Sequence, residues 1–176
     1  MNATPFLGTV LDGIAAERLE AVLIGNAAAA IQGAPVTTLD FDFMFRDTPV
    51  NLAKLKRLSK RLDAVILRPY YPVSRLYRVT SDVTGLQVDF MPVIHGVRSF
   101  ESLRSRALAI EVDGRTLLTA SLDDIIKSKR AAGRERDLAV LPVLERTAAL
   151  QRGRPAESAR PERKGGPRGK AKKPGR

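Results

Sequence analysis

The chain has 176 residues, 44% of them hydrophobic, with no Cys and a single His, so a disulfide framework, a thiolate zinc site and a multi-His metal site are all excluded. A chain of this length buries roughly two-thirds of its unfolded surface and needs no covalent staple. Its formal charge of +11 is uneven: residues 151–176 hold ten cations and two anions, a net +8, which leaves +3 for residues 1–150.

Thr4-Pro5 opens the first predicted helix, a hydroxyl cap followed by a residue with no amide to satisfy, and Leu7, Val10, Leu11 and Ile14 give that helix one apolar face. Residues 21–24 (Ala-Val-Leu-Ile) read as a short buried strand stopped by Gly25. The Ala-rich residues 26–32 read as a helix ended by Gly33 and Pro35. Residues 39–45 carry aromatic and aliphatic weight in alternation and predict a strand. A helix follows over 49–64, with Leu52, Leu55, Leu58 and Leu62 inward and Lys54, Lys56, Arg57, Lys60 and Arg61 on the other side. That cationic side is either a solvated face or a track for an RNA backbone.

Strands are predicted at 65–67, 74–80 and 86–93, with Asp82 and Gly85 in the turn between the last two. His95, after a strand and before Gly96, reads as a loop or core residue. A helix over 100–108 precedes a hairpin or short strand at 110–118 around Asp113-Gly114. Ser121 opens a helix reaching about residue 132. The last helix covers 134–149, and Pro142 inside it requires either a kink or a fresh start there. Strands and helices are intermixed without an internal repeat, so one domain of α/β (α+β) type is expected over residues 1–150. Residues 151–176 are rich in Pro, Gly and cations and, proline aside, carry nothing apolar larger than Ala. They read as a disordered basic tail that either binds polyanions such as RNA or only aids solubility. The longest apolar stretch, 21–31, is interrupted by Gly25-Asn26 and is too short to span a membrane. No cation precedes Arg18, as a signal peptide would require. A soluble, cytoplasmic protein is the expectation.

Side chains alternate across a strand, so in Asp40-Phe41-Asp42-Phe43 the two carboxylates share one face and the two rings the other. Asp is a poor strand former and two adjacent carboxylates repel, a cost that a hard divalent cation such as Mg²⁺ offsets. Asp89 stands among core residues on a second predicted strand. If the strands are neighbours, three carboxylates meet as two-metal phosphoryl transfer requires. The other reading is a solvated sheet face or a set of Arg pairs. Upstream, the order strand, Gly25-Asn26, helix places a close backbone approach at a helix start, where free amides bind phosphate.

In this order, Ile24-Gly25-Asn26 followed by Thr38-Leu39-Asp40-Phe41-Asp42 resembles the signature of the polymerase-beta-like nucleotidyltransferase superfamily, a small-residue helix start followed by Asp-x-Asp. The run from Ser121-Leu122-Asp123-Asp124 through Lys129 and Arg134 to Asp137-Leu138 is similar to a later block of its minimal members. Those members are related to the AbiEii-type toxins of bacterial toxin–antitoxin pairs. The resemblance covers residues 20–146. It departs from the pattern at Asn26, where Gly or Ser is usual, and at Val36 and Leu39, where relatives often carry Arg and Lys. It implies a nucleotidyltransferase fold with a mixed, mostly antiparallel sheet flanked by helices and C-terminal helices. It further implies two Mg²⁺ ions on Asp40, Asp42 and Asp89, with Asp89 helping to deprotonate the attacking hydroxyl, and an NTP held by Gly25 and Asn26. Lys129 and Arg134 are candidates for triphosphate contacts, with a solvated helix face as the other reading. Asp137 is placed to orient Arg134. The reaction implied moves an NMP to a hydroxyl, plausible acceptors including an RNA such as a tRNA 3′ end, with an antitoxin protein as a further partner. The alternative is a catalytically silent module of the same fold that binds RNA or protein.

Overall fold

Four consecutive apolar residues, Ala21-Val22-Leu23-Ile24, are buried along their whole length, the pattern of a strand covered on both faces. A computed structural model, which describes residues 4–38 and 40–153, places this strand inside a seven-stranded sheet. In chain order the elements are α1 (Thr4–Glu17), β1 (Ala21–Ile24), α2 (Gly25–Ile31), β2 (Phe41–Phe45), α3 (Pro49–Arg61), β3 (Val65–Leu67) and β4 (Tyr77–Ser81). There follow β5 (Leu86–Met91), α4 (Phe100–Arg104), β6 (Leu108–Val112), β7 (Arg115–Thr119), α5 (Leu122–Ala132) and α6 (Glu135–Gly153).

The strand order is β3-β4-β5-β2-β1-β7-β6. Only β1 with β7 and β2 with β5 run parallel; the other neighbours are antiparallel, so the sheet is mixed and mostly antiparallel, as expected. Helix α1 packs on α3 and β7, and α5 packs on α2 and α6. The alternation read from the sequence is realised in β2: Phe43 stacks on Phe90 of β5 with ring centroids 5.3 Å apart, while Asp42 and Asp89 are the neighbouring register pair. Asn51 of α3 is buried and ties its helix to the sheet: its amide donates to the carbonyls of Glu20 and Arg46, and its oxygen accepts from the Glu20 N–H.

Several predicted boundaries move, each for a local reason. β2 begins at Phe41 because the Thr38 hydroxyl donates to the Asp40 carbonyl (3.0 Å) and accepts from the Asp40 N–H (3.3 Å), engaging both backbone groups locally. β4 begins at Tyr77, after a turn in which Ser74 N–H donates to the Tyr70 carbonyl. Helix α4 ends at Arg104, and residues 108–112 pair with β7 to complete the hairpin around Asp113-Gly114. Helix α6 continues through Pro142 to Gly153. Pro142 removes the donor for the Leu138 carbonyl, and both residues are exposed, where water can replace it. The rest of the basic tail lies outside the described residues, as does Leu39. No helix among the described residues is long and apolar enough to cross a membrane.

Candidate active site

Asp42 is the second residue of β2, opposite Ile24 of β1 on one side and Asp89 of β5 on the other. β1 gives way to α2 at Gly25, which has φ +70°, a conformation that suits only glycine without strain. A Cβ at Gly25 would lie 2.9 Å from Oδ2 of Asp42, so this glycine supplies both the turn and the room beside the carboxylate. Asn26, the next residue, has its side-chain oxygen buried without a hydrogen-bond partner.

Asp42 itself is partly buried, and among the described residues its carboxylate accepts no hydrogen bond and joins no ion pair. Burial, followed by the charges of Asp89 and Asp40, pushes its pKa up to about 6, against the opposing fields of Lys129 and Arg136. Asp40 precedes the strand, exposed, on the Thr38 turn. Asp89 is buried and fully engaged: Arg78 of β4 donates from Nε to Oδ1 and from Nη2 to Oδ2, each at 2.8 Å. This bidentate pair raises the Arg78 pKa and occupies both oxygens of Asp42's register partner.

The predicted cations separate. Lys129 of α5 is nearly buried and donates to Asp137 of α6 at 2.8 Å. Asp137 therefore pairs with Lys129, and the expected Asp137–Arg134 contact is replaced. Arg134 lies exposed between α5 and α6 with no ion pair among the described residues. The motif's Asp124 is structural: Ser121 caps α5 through the Asp124 N–H, and Arg106 grips the Asp124 carboxylate. His95 lies exposed in a turn whose Gly96 packs on α5. On α3, three of the five candidate RNA-tracking cations are occupied internally: Arg57 and Arg61 bind Glu17 and Lys54 donates to the Arg18 carbonyl.

The arrangement of sheet and helices has solved counterparts. The antibiotic-resistance factor ANT(2'')-Ia, in its solution structure, matches with a TM-score of 0.57 over 85% of this chain and 90% of its own, at 12% identity. The lincosamide antibiotic adenylyltransferase LnuA, lincomycin-bound, matches at 0.59 over 80% of this chain and 95% of its own, at 13% identity. A nucleotidyltransferase described as putative, from Thermotoga maritima, matches at 0.53 over 84% and 91%, at 16% identity. The fold is that of the nucleotidyltransferases. No protein-family model and no curated protein matches the sequence.

Nucleotidyltransferase folds are associated with divalent metal ions, and the donor set here fits one such ion better than two. Among the described residues Asp40 and Asp42 offer hard oxygens without protein donors, with space kept open at Gly25. Both Asp89 oxygens are taken by Arg78, and among the described residues no three His, Cys, Asp or Glu side chains form a group that could hold a metal ion. Two residues facing the carboxylates escaped the sequence reading. Arg136 is one, its signal hidden in an exposed, charge-rich helix start. Arg78 is the other, and it was readable: a β-turn closing at Ser81 and Leu86 sets Arg78 opposite Asp89.

Proposed function

We propose that this chain is a nucleotidyltransferase that moves a nucleoside monophosphate from an NTP to a hydroxyl acceptor. The acceptor oxygen bonds to the α-phosphorus, the bond from that phosphorus to the bridging oxygen breaks, and pyrophosphate leaves. The observation that carries this reading is Asp42: a largely desolvated carboxylate without a protein partner, beside a glycine turn, at the same register as a second carboxylate in a nucleotidyltransferase fold. Such a group costs stability and is explained by a ligand that supplies the missing positive charge.

On this reading Asp40 and Asp42 hold Mg²⁺, which when bound neutralises phosphate charge and aligns the α-phosphoryl group. Gly25 and Asn26 line the phosphate side. Arg134, exposed and without an ion pair among the described residues, is the cation assigned to the outer phosphates. Lys129 acts from behind: fixed by Asp137, it contributes its field to Asp42. We favour RNA as acceptor, on the strength of the ten cations among residues 151–176. A small hydroxylated molecule is the competing acceptor, because LnuA and ANT(2'')-Ia, an adenylyltransferase and a protein solved with adenylyl-2''-tobramycin, share the fold. A toxin role with an antitoxin partner rests on the sequence resemblance alone.

The test is incubation with each α-labelled NTP, Mg²⁺ and total RNA, with a panel of aminoglycosides and lincosamides as the second arm. Label should move to an acceptor in one arm, and Asp42→Ala should abolish the transfer while circular dichroism shows the protein folded. Transfer that persists in Asp42→Ala refutes the assignment. Absence of any metal-dependent NTP binding by calorimetry favours the silent module, whose RNA affinity should then fall on deletion of residues 154–176.

A further inference from the structure

Four positions lie in one row across the sheet: Arg78 on β4, Asp89 on β5, Asp42 on β2 and Ile24 on β1, with Gly25 next along the chain. The row therefore reads cation, carboxylate, carboxylate, open turn. The Arg78 guanidinium is about one-quarter exposed and Asp89 about one-eighth, and their two parallel hydrogen bonds of 2.8 Å fix the carboxylate in orientation. Asp42 receives nothing from Arg78 by hydrogen bond.

We propose that Arg78 is a built-in counter-cation that limits this site to a single divalent ion, carried by Asp40 and Asp42, and that it holds Asp89 as a positioning group that neither ligates metal nor serves as a base. The physical argument is one of competition. A second cation would have to displace a guanidinium bound through both oxygens in a partly buried setting, and the displaced arginine would remain beside it as a like charge. Arg78 cannot leave by losing a proton, because guanidinium stays charged at all accessible pH values. The sheet itself sets the pairing, since Arg78 and Asp89 are register partners in a tight hairpin and need no loop closure to meet. The inference rests on the metal-binding reading of Asp40 and Asp42 given above.

The experiment is a titration of the full chain with Mn²⁺ alone, followed by the electron paramagnetic resonance signal of the free ion, for wild type, Arg78→Gln and the double variant Arg78→Gln/Asp89→Asn, which removes both charges of the pair together. Wild type should bind one Mn²⁺ per chain. Arg78→Gln should bind two, because Asp89 is released. The double variant should still bind one, with affinity within about threefold of wild type, because Asp89 is not a ligand. Thermal melts verify that each variant is folded. Should Arg78→Gln fail to fold, the wild-type count and the double variant's affinity still decide. The proposal is overturned by two ions in wild type, by one ion in a folded Arg78→Gln, or by an affinity loss of tenfold or more in the double variant. Absence of binding to all three overturns it together with the metal reading. One ion per chain with no nucleotidyl transfer would leave it standing while the enzymatic assignment fails.

Discussion

Asp124 and Asp42 are both carboxylates set into the body of the protein, and they are treated in opposite ways. Asp124 receives the Arg106 guanidinium and the Ser121 hydroxyl, and its own N–H is capped by the same serine. Asp42 receives no donor among the described residues and lies in the field of two more acids, Asp89 and Asp40. A carboxylate that is buried and satisfied belongs to the architecture; one that is buried and left wanting marks the place where the architecture makes room for something else. Asp89 stands between the two cases, buried in the site yet satisfied by Arg78.

This contrast can be broken by substitution, and the largest effect should be on turnover. Asp42→Asn should lower nucleotidyl transfer by roughly 10²–10³-fold or more, since it removes a charge at the reacting centre. Asp124→Asn, measured in the same assay, should leave kcat within a few-fold in the folded fraction. Equal losses in both would erase the distinction between site and scaffold.

Stability should respond with the opposite sign. The folded Asp42 pKa of about 6 exceeds the ordinary aspartate value of 3.8, so between those values the folded state holds more protons than the unfolded. The cost of ionising Asp42 is absent below the lower value, grows as pH rises through the window, and is complete above the upper one. In metal-free buffer, Asp42→Asn should therefore gain stability over wild type between pH 4 and 7, reaching at most about 3 kcal/mol. Denaturant unfolding of the pair across that range checks it, and a difference that stays flat with pH would contradict it. Asp124→Ala should instead lose about 2 kcal/mol, because the Arg106 grip and the link to the capping serine disappear together. The smallest effect belongs to Arg134→Ala, which should raise the KM for NTP several-fold with little change in melting temperature, since the Arg134 side chain makes no hydrogen bond or ion pair among the described residues and its carbonyl contacts to Asp137 and Leu138 survive the substitution.

Most of the sheet was legible because its strands are short apolar runs between strong punctuation. Gly25 ended β1, Asp113-Gly114 turned β6 into β7, and Ser121 capped α5, each by a local rule that tertiary structure had no reason to override. The pairing of β2 with β5 was legible only as a condition, because a parallel contact between distant segments leaves no local trace. Among the candidate site residues, the placement of Gly25 and Asp42 was readable: chirality calls for glycine at a turn with φ +70°, and strand alternation sets Asp42 on the face opposite Phe43. The partners of Lys129 and Asp89 were not read. Helical spacing offered Asp137 only Arg134, whereas the packing of α5 on α6 brings Lys129 to it instead. Arg78 looked like an ordinary polar position on a half-exposed strand until the hairpin register was counted out.

The account depends on Asp42 being held ready for a cation that the protein does not itself supply. Its most direct test is the melting temperature of wild type and Asp42→Asn with and without millimolar Mn²⁺ at pH 7.5. Wild type should melt lower than the variant in the absence of metal and rise when Mn²⁺ is added, while the variant should not respond. A wild type indifferent to Mn²⁺, or a variant stabilised by it to the same degree, would contradict the account.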